Sequence, residues 1–373
     1  MRKSRCGISC KDCYYYDYRE LCPGCAIERC LVDSCLRDVS FSGITYPKSF
    51  CKLRAYCPIG GRPRPPPVLL PYSRKKDMPK INFPSFVPQI DIGNRGTWFW
   101  EEGIDAPAIF VPLWQLILNG DLLSETLSKG LHDFLNFNGK ILLSTVMPDE
   151  LIDKLTKDDY FKLIKELRPD AAMIPDNYTY IDAPLYQSWS QTVRLISLAN
   201  DFLDLDIPLI GLIKGANLRQ IYMSLKREIE MNYVSFVMPA RELFEQGLLN
   251  DLLSHVLIML KKLGRVNNKK LEILIYGVGR KLGYKGISYS NFSWFLEAKH
   301  GLYFRDGKLY DMRDEKIRFK ECYCDACKGK MPQDLINLWV ESSVSCKRIL
   351  ALHNLLDWLR RSKSWAGLFN KTI

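Results

Sequence analysis

The sequence lacks the features that mark membrane, secreted and dinucleotide-binding proteins. No apolar run reaches the roughly 18 residues that a membrane-spanning helix needs. Residues 1–6 are basic but are not followed by the apolar stretch of a signal peptide. No glycine-rich dinucleotide fingerprint follows any candidate strand. We therefore expect a cytoplasmic protein without a membrane partner, and we disfavour a doubly wound dinucleotide-binding sheet.

Histidine is scarce, whereas cysteine is not. The 373 residues include 4 histidines and 13 cysteines, an odd number. The cysteines are clustered, and intracellular proteins seldom keep disulfides, so we expect metal ligation rather than cross-linking. The hydrophobic fraction of 47% and the charged fraction of 25% are ordinary for a globular protein.

The positive charge is concentrated near the N-terminus. Residues 1–80 hold 16 Lys and Arg against 7 Asp and Glu, a net of +9 out of the total of +11. A focused basic surface attracts phosphate backbones by releasing their counterions. We therefore expect a nucleic-acid partner, whereas evenly spread charge would have indicated only a solubilising surface.

Residues 1–58 are predicted to form a cysteine-rich metal-binding module. They carry nine cysteines and no histidine, and too few aliphatic residues to be stabilised by burial alone. Metal binding would supply the missing folding free energy. Zinc is the simplest assignment, and an iron–sulfur cluster would use the same ligands. The candidate ligands are Cys6, Cys10, Cys13, Cys22, Cys25, Cys30, Cys35, Cys51 and Cys57.

Residues 59–90 are predicted to be a linker, because proline and basic residues dominate them. In residues 91–373, apolar β-type runs alternate with segments of helical spacing, such as 151–167, 191–202 and 216–231. Such alternation indicates a parallel sheet covered by helices. Seven candidate strands, with an eighth left open, predict an α/β fold of the TIM (β/α)8 barrel type. The candidates are residues 108–111, 140–143, 171–174, 208–213, 233–237, 271–276 and 286–289.

A second metal site is predicted near the C-terminus, within a subdomain at residues 318–360. Cys322, Cys324 and Cys327 form a Cys-x-Cys-x2-Cys motif, and His353 follows on a predicted helix. Three thiolates and one imidazole complete a tetrahedral zinc site with no open position. The alternative is a solvated loop with spare thiols and a histidine in the core.

This motif, followed by His353-Asn354, resembles the zinc site of the tRNA-guanine transglycosylases, which replace guanine in tRNA by a 7-deazaguanine. The resemblance covers roughly residues 105–360 and implies a TIM barrel with pentosyltransferase activity. Further similar stretches follow in the family's order at residues 130–142, 168–176, 208–215, 276–279 and 301–307.

The resemblance also implies the roles of site residues. Asp176 matches the base-recognising aspartate, with a simple turn residue as the alternative, and Lys214-Gly215 stands where the family has Gln-Gly. Ser144 and Ser290 occupy the two catalytic positions, where the family has carboxylates. Since serine is a poor glycosyl nucleophile, we name Asp149 and Glu297 as possible substitutes.

Three functions therefore remain open. The chain is an active transglycosylase acting on tRNA or DNA with a guanine or 7-deazaguanine base, either as a homodimer or with a partner subunit. Alternatively, it is a catalytically silent nucleic-acid-binding subunit of such an enzyme, because heteromeric members of the family pair an active subunit with a degenerate one. The third reading is an unrelated barrel enzyme stabilised by zinc.

Overall fold

The computed structural model describes residues 73–179, 185–216, 218–241, 249–279, 284, 286–305, 308–313, 322–330 and 332–366. The nine N-terminal cysteines lie outside the described residues, and so do residues 59–72 of the predicted linker. Residues 318–321 of the predicted zinc subdomain are also outside them. In the part that is described, no helix is long and apolar enough to cross a membrane.

Ten strands are described, and eight of them form one sheet. The strands are β1 Phe86–Pro88, β2 Ala108–Pro112, β3 Lys140–Ser144, β4 Ala171–Met173, β5 Leu209–Leu212, β6 Ser235–Pro239, β7 Glu272–Tyr276, β8 Ser288–Asn291, β9 Leu302–Arg305 and β10 Lys308–Asp311. The order in the sheet is β1-β8-β7-β6-β5-β4-β3-β2, while β9 and β10 form a separate antiparallel hairpin.

The sheet has the strand arrangement of a parallel barrel. The pairings described within it are all parallel. A further parallel bridge between Gln89 and Phe110 joins the residue after β1 to β2, the strand at the other end of that order. The eight strands therefore make a nearly closed barrel, which confirms the α/β class and agrees with the predicted (β/α)8 architecture.

Eleven α-helices are found among the described residues. They are α1 Leu113–Ile117, α2 Gly120–Lys129, α3 Leu131–Leu135, α4 Asp149–Ile152, α5 Lys157–Leu167, α6 Leu185–Phe202, α7 Leu218–Glu230, α8 Leu249–Val266, α9 Ser293–Lys299, α10 Pro332–Glu341 and α11 Ser343–Ala366. Two short 3-10 helices, Arg95–Thr97 and Phe99–Glu102, connect β1 to β2 in place of an α-helix.

The helix predicted over residues 151–167 is interrupted, which corrects the sequence-based expectation. Thr156 starts the second helix by reciprocal capping with Asp159. The Thr156 backbone N–H and hydroxyl donate to the Asp159 carboxylate at 2.8 and 2.7 Å, and the Asp159 N–H donates to the Thr156 hydroxyl at 3.2 Å. This arrangement gives hydrogen-bond partners to backbone N–H groups that have none within the first turn of a helix. A new helix therefore starts here, and α4 and α5 are separate.

The chain divides into two compact units. The first unit contains residues 73–81, Thr145–Lys165 and the described part of Ala171–Ile273. The second unit contains Asn82–Ser144, Glu166–Asp170 and the described part of Leu274–Ile373.

In the first unit, helix α7 packs closely on β5. The residue Gly211 allows this approach, because a Cβ there would lie 2.3 Å from Oε2 of the fully buried Glu228. In the second unit, α11 packs on β1 and β8. Trp358 of that helix stacks on Phe86 with ring centroids 4.8 Å apart and lies 6.3 Å from the Tyr289 ring.

Candidate functional site

The three C-terminal cysteines lie on a tight turn in the second unit. Cys322 and Lys330 form an antiparallel bridge, and the N–H of Gly329 donates to the Cys322 carbonyl at 2.9 Å. Lys328 and Gly329 have positive φ angles of 49° and 79°, which reverse the chain. The Cys327 N–H donates to Sγ of Cys324 at 3.4 Å. The turn therefore brings thiols that are close in sequence close together in space.

His353 completes this group from helix α11. Its Nδ1 lies 3.5, 3.5 and 3.4 Å from the Sγ atoms of Cys322, Cys324 and Cys327. Ordinary zinc bond lengths in a tetrahedral site place nitrogen and sulfur about 3.6 Å apart. All four ligand atoms lie within 4.8 Å of one another. The predicted group is therefore assembled, and it could hold a metal ion such as zinc.

Hydrogen bonds around His353 fix which ring nitrogen faces the thiols. Its Nε2 lies 2.8 Å from the Phe304 carbonyl, which can only accept, so Nε2 carries the proton and Nδ1 is free to bind a metal. The adjacent Asn354 holds the same strand, because its Oδ1 accepts the Phe304 N–H at 2.7 Å. Asn354 also donates to the carbonyls of Leu302 at 3.1 Å and Trp294 at 3.3 Å.

The side chains of the group shift one another's pKa values, so that Cys322 and Cys324 favour the thiolate and Cys327 the thiol. A hydrogen bond from Cys327 lowers the pKa of Cys324 to about 3, while the same bond raises the pKa of Cys327. A hydrogen bond with His353 lowers the pKa of Cys322. Burial would lower the pKa of His353, but the Cys322 and Cys324 thiolates raise it to about 10. A dication would replace the protons that these groups share.

The fourth described cysteine does not belong to this group. Cys346 is fully buried, and its thiol donates to the Leu335 carbonyl at 3.2 Å. Burial raises the pKa of this thiol to about 11. Cys346 is therefore a core residue and a natural control for substitutions in the metal-binding group.

A second polar cluster lies in the first unit, after strands β4 and β5. Asp176 is 3% exposed, and its Oδ1 accepts hydrogen bonds from the Lys214 ammonium group and from the Asn177 N–H, the latter at 2.8 Å. Lys214 also donates to the Asn177 carbonyl at 2.6 Å. Oδ2 of Asp176 has no partner among the described residues. Two residues predicted to bind a base are therefore in direct contact.

Asn177 is a member of this cluster that the sequence analysis missed. Its Nδ2 donates to the Gln191 carbonyl of α6 at 2.5 Å, which anchors the segment that carries Asp176. Its own Oδ1 is buried and has no partner among the described residues. The only sequence signal was its position directly after Asp176, where a turn was an equally good explanation.

Asp149 belongs to the same electrostatic environment. It begins α4, and burial raises its pKa, while the charge of Lys214 lowers it and that of Asp176 raises it. Tyr178 steadies this segment, because its hydroxyl donates to the Asp149 carbonyl at 2.8 Å and contacts the Asp153 carboxylate at 2.8 Å. Of the two substitute carboxylates proposed from the sequence, Asp149 is the one influenced by both Asp176 and Lys214.

Gly215 allows close packing behind Lys214. A Cβ on Gly215 would lie 2.6 Å from the Ile221 backbone nitrogen, at the start of α7. Gln220 accepts the Ala216 N–H at 2.8 Å and donates to the Ser188 hydroxyl at 2.8 Å, so α7 is tied to α6. Gly215 therefore allows the backbone after Lys214 to pack against the start of α7. The expectation that Gly215 itself contacts a base stays a prediction.

The two serines that the sequence resemblance places at catalytic positions lie in the second unit. Ser144 ends β3 and Ser290 lies in β8, and both are fully buried. Oγ of Ser290 has no hydrogen-bond partner among the described residues. Glu297 lies in helix α9, where burial raises its pKa and His300 partly opposes the rise. No hydrogen bond links Glu297 to Ser290 in the described part of the chain.

Comparisons with known proteins give no family assignment. No family model matches this chain, and no curated protein matches it either. Inferences about function therefore rest on the motifs and on the geometry described above.

Proposed function

We propose that this chain is a divergent tRNA-guanine transglycosylase-type protein that binds a guanine-like base at Asp176 and Lys214. The observation that carries the proposal is the contact between these two side chains after neighbouring strands β4 and β5. The carboxyl ends of parallel barrel strands are where barrel enzymes hold their substrates. The motifs shared with the family support the same assignment.

The chemistry of the pair suits the amide edge of guanine. That edge presents one carbonyl acceptor beside N–H donors. The Lys214 ammonium group can donate to the carbonyl, and the unpartnered Oδ2 of Asp176 can accept from the donors. An adenine edge reverses this pattern, because it presents an amino donor where guanine has the carbonyl. A buried ion pair of this kind therefore discriminates strongly between the two bases.

Asp149 is the carboxylate that we propose for the covalent step. In base exchange, an ionised carboxylate oxygen bonds to the anomeric carbon, and the departing base takes the electron pair of the glycosidic bond and a proton from water. The nitrogen of the incoming base then bonds to the same carbon and gives its proton to water, and the carboxylate leaves with the electron pair of the C–O bond. Asp149 feels the charges of both Lys214 and Asp176, and the charge of Lys214 favours the ionised form that the attack requires.

We further propose that the C-terminal metal is zinc and that its role is structural. Cys322, Cys324, Cys327 and His353 would fill all four tetrahedral positions, which leaves none for a substrate. The site would hold the turn at residues 322–330 to α11 and, through the His353–Phe304 contact, to β9.

The second candidate function is a silent nucleic-acid-binding subunit. The observation that favours it is the pair Ser144 and Ser290, which offer buried hydroxyls where the family's mechanism needs carboxylates. In this case a partner subunit would supply the catalytic group. In both cases we propose a tRNA or DNA partner recruited by the basic N-terminal residues, and a cytoplasmic location.

Exchange of labelled guanine into tRNA separates the candidates. The purified chain would be assayed alone and with host extract, together with the Asp176→Asn and Asp149→Asn variants. Glu150→Gln is the matched control, because it removes a charge at the exposed neighbouring position. If the chain is an active enzyme, it incorporates the labelled guanine without any extract. This incorporation should require Asp176 and Asp149 but not Glu150.

If the chain is a silent subunit, labelled guanine is incorporated only when the extract supplies the active partner. Incorporation in that mixture should still require Asp176. Incorporation by the chain alone that survives Asp149→Asn would show that another residue carries the covalent step. Absence of incorporation under both conditions, with no binding of guanine, would refute the proposed function.

A further inference from the structure

A dense run of cations lies at the C-terminal end of helix α8 in the first unit. Residues 261–270 contain five basic side chains, whereas residues 252–271 contain no Asp or Glu. Four of the five are exposed, and no ion pair within the described part of the chain involves them. With the nearby Lys75 and the fifth cation, Lys269, they form what we call the α8 basic patch. The four exposed cations are Lys261, Lys262, Arg265 and Lys270.

Helical spacing places three of these cations on one side of α8. At 3.6 residues per turn, Lys261, Lys262 and Arg265 fall within an arc of about 100°. The fully buried Leu253 and Val256 lie on the other side of the helix, where α8 packs against the rest of the unit. The basic side of the helix therefore faces solvent.

The end of α8 adds the remaining cations of the run. Asn268 has a φ angle of 52°, the left-handed conformation that commonly ends a helix. The Lys269 N–H donates to the Gly264 carbonyl at 2.8 Å, and the Asn268 N–H donates to the Arg265 carbonyl at 3.2 Å. These two bonds form a Schellman C-cap, which folds the chain back at the end of the helix. Lys269 and Lys270 thus follow the last turn closely.

Lys269 and Lys75 bring two further charges to the same place. Nζ of Lys269 donates to the Ile229 carbonyl and, at 2.8 Å, to Oδ1 of Asn232. Burial lowers the pKa of Lys269, and the charge of the exposed Lys75 lowers it further. Because these like charges repel one another, the patch is a region of positive potential that a polyanion would stabilise.

Neighbouring carboxylates do not neutralise the patch. Glu230, beside the Lys269 contact with Ile229, lies 2.8 Å from the Arg227 guanidinium. Glu272, two residues after Lys270, lies 2.7 Å from the Lys80 ammonium group. The partial negative charge at a helix C-terminus stabilises cations of the last turn only, so it accounts for Arg265 but not for the other members.

The composition of the patch indicates the class of its partner. Lysine is depleted at protein–protein interfaces, and a helix that lies on a membrane needs a broad exposed apolar face. Among the described side chains of α8, the exposed large apolar ones are Ile258 and Val266. A surface dominated by lysine and arginine instead matches a phosphate backbone, whose counterions it would release.

The patch and the proposed base site lie at opposite ends of the strands of the first unit. Lys269 contacts residues that precede β6, whereas Lys214 follows the end of β5, and β5 and β6 run parallel. Strands of four to five residues span about 13–17 Å. A single base therefore cannot contact both places, and the partner of the patch is a polymer.

We propose that the α8 basic patch is a docking surface for the phosphate backbone of a nucleic acid, separate from the base site. That the nucleic acid is tRNA rests on the proposed function, whereas the surface itself requires only a chain of phosphates. Contacts to phosphates position a nucleic acid without reading its sequence, so the patch should contribute affinity and salt dependence rather than base specificity.

Binding of the full chain to tRNA and to a duplex DNA over a range of salt concentrations tests this surface. A variant that combines Lys261→Gln, Lys262→Gln, Arg265→Gln and Lys270→Gln should bind at least about tenfold more weakly near 0.1 M salt. Its slope of log affinity against log salt should be shallower by about 2–3, since each lost phosphate contact removes roughly 0.7–0.9. Affinity for free guanine should not change.

The matched control removes four exposed cations from another part of the first unit. It combines Lys154→Gln, Lys157→Gln, Lys162→Gln and Lys165→Gln, on and beside α5, where Asp153, Asp158 and Asp159 already balance the charge. This variant has the same net charge as the patch variant but should keep most of the affinity and the salt slope. Thermal unfolding of both variants checks that they are folded.

The outcomes separate the docking surface from the proposed base site. If free guanine fails to bind but nucleic-acid affinity depends on the patch, the docking surface stands and the base site fails. Unchanged affinity and slope in the patch variant, or an equal loss in the control, would overturn the docking surface. So would the absence of nucleic-acid binding by the unmodified chain. Binding to phosphatidylserine vesicles that requires the patch, with nucleic-acid binding unaffected, would assign the surface to a membrane instead.

Discussion

Replacement of Cys324 by serine should remove one metal ion from each chain and lower its thermal stability. Cys324 is 3% exposed, its Sγ lies 3.5 Å from Nδ1 of His353, and the hydrogen bond from Cys327 lowers its pKa to about 3. Serine supplies a hydroxyl that binds zinc weakly and stays protonated. Since the other three ligands remain in place, the expected defect is loss of affinity rather than loss of the whole turn.

The size of the effect follows from linkage. With free zinc at about 1,000 times the dissociation constant, an ion bound only to the folded state stabilises it by roughly 4 kcal/mol. A unit of 150–250 residues shifts its melting temperature by about 2–4 °C per kcal/mol, so complete loss corresponds to roughly 8–16 °C. Elemental analysis and thermal unfolding at fixed zinc concentration measure the two quantities.

The control is Cys346→Ser, the same chemical change at a fully buried thiol outside the group. It should cost some stability but leave the metal content unchanged. Because the N-terminal cysteines are expected to bind metal as well, the informative number is the difference of one ion between the unmodified chain and the Cys324→Ser variant. Equal metal content in these two proteins would refute the assignment of the site.

Three further predictions concern stability and nucleic-acid binding. Asn354→Ala should lower the free energy of unfolding in urea by about 2–4 kcal/mol. The substitution removes the hydrogen bonds that the Asn354 side chain makes to the Phe304 N–H and to the Leu302 and Trp294 carbonyls. A loss below about 1 kcal/mol would contradict this role. Burial raises the pKa of Glu228 from 4.5 to about 8, so its carboxyl group stays protonated in the folded chain at pH values where the unfolded chain has already lost that proton. The free energy of unfolding should therefore fall as pH rises from about 4.5 to 8, with a slope of up to about 1.4 kcal/mol per pH unit. Glu228→Gln should remove that slope, and parallel pH profiles for the two proteins would count against a neutral buried carboxyl. A protein truncated to begin at residue 73 should bind tRNA more weakly and with a shallower dependence on salt than the full chain, because it lacks most of the basic excess; identical slopes would exclude a role for the N-terminal charge.

The sequence predicted the barrel strands well where they were long and apolar. The run at residues 108–111 became β2, and the run at 271–276 became β7, because continuous apolar segments of this length suit a sheet buried on both faces. Strand β1 was not predicted, because three residues that end in Pro88 show no periodicity. The break before α5 was also missed, since apolar spacing continues across Thr156 and only the capping interaction reveals it.

The candidate sites differ in how far the sequence could predict them. The metal-binding group was predictable because three ligands lie within six residues and thiolate–imidazole chemistry is specific. The contact between Lys214 and Asp176 was not, because it joins residues that are 38 positions apart and depends on which strands are neighbours. The contacts of Asn354 likewise required the fold, although its position beside His353 was part of the motif.

The most direct test of the account is titration of the full chain with 7-deazaguanine and 7-deazaadenine. The Asp176–Lys214 pair should bind 7-deazaguanine at least about tenfold more tightly, because only that base offers a carbonyl to the Lys214 ammonium and N–H donors to the Asp176 carboxylate. Asp176→Asn should abolish the preference. Equal affinity for the two bases, or a preference that survives in Asp176→Asn, would contradict the proposed base site.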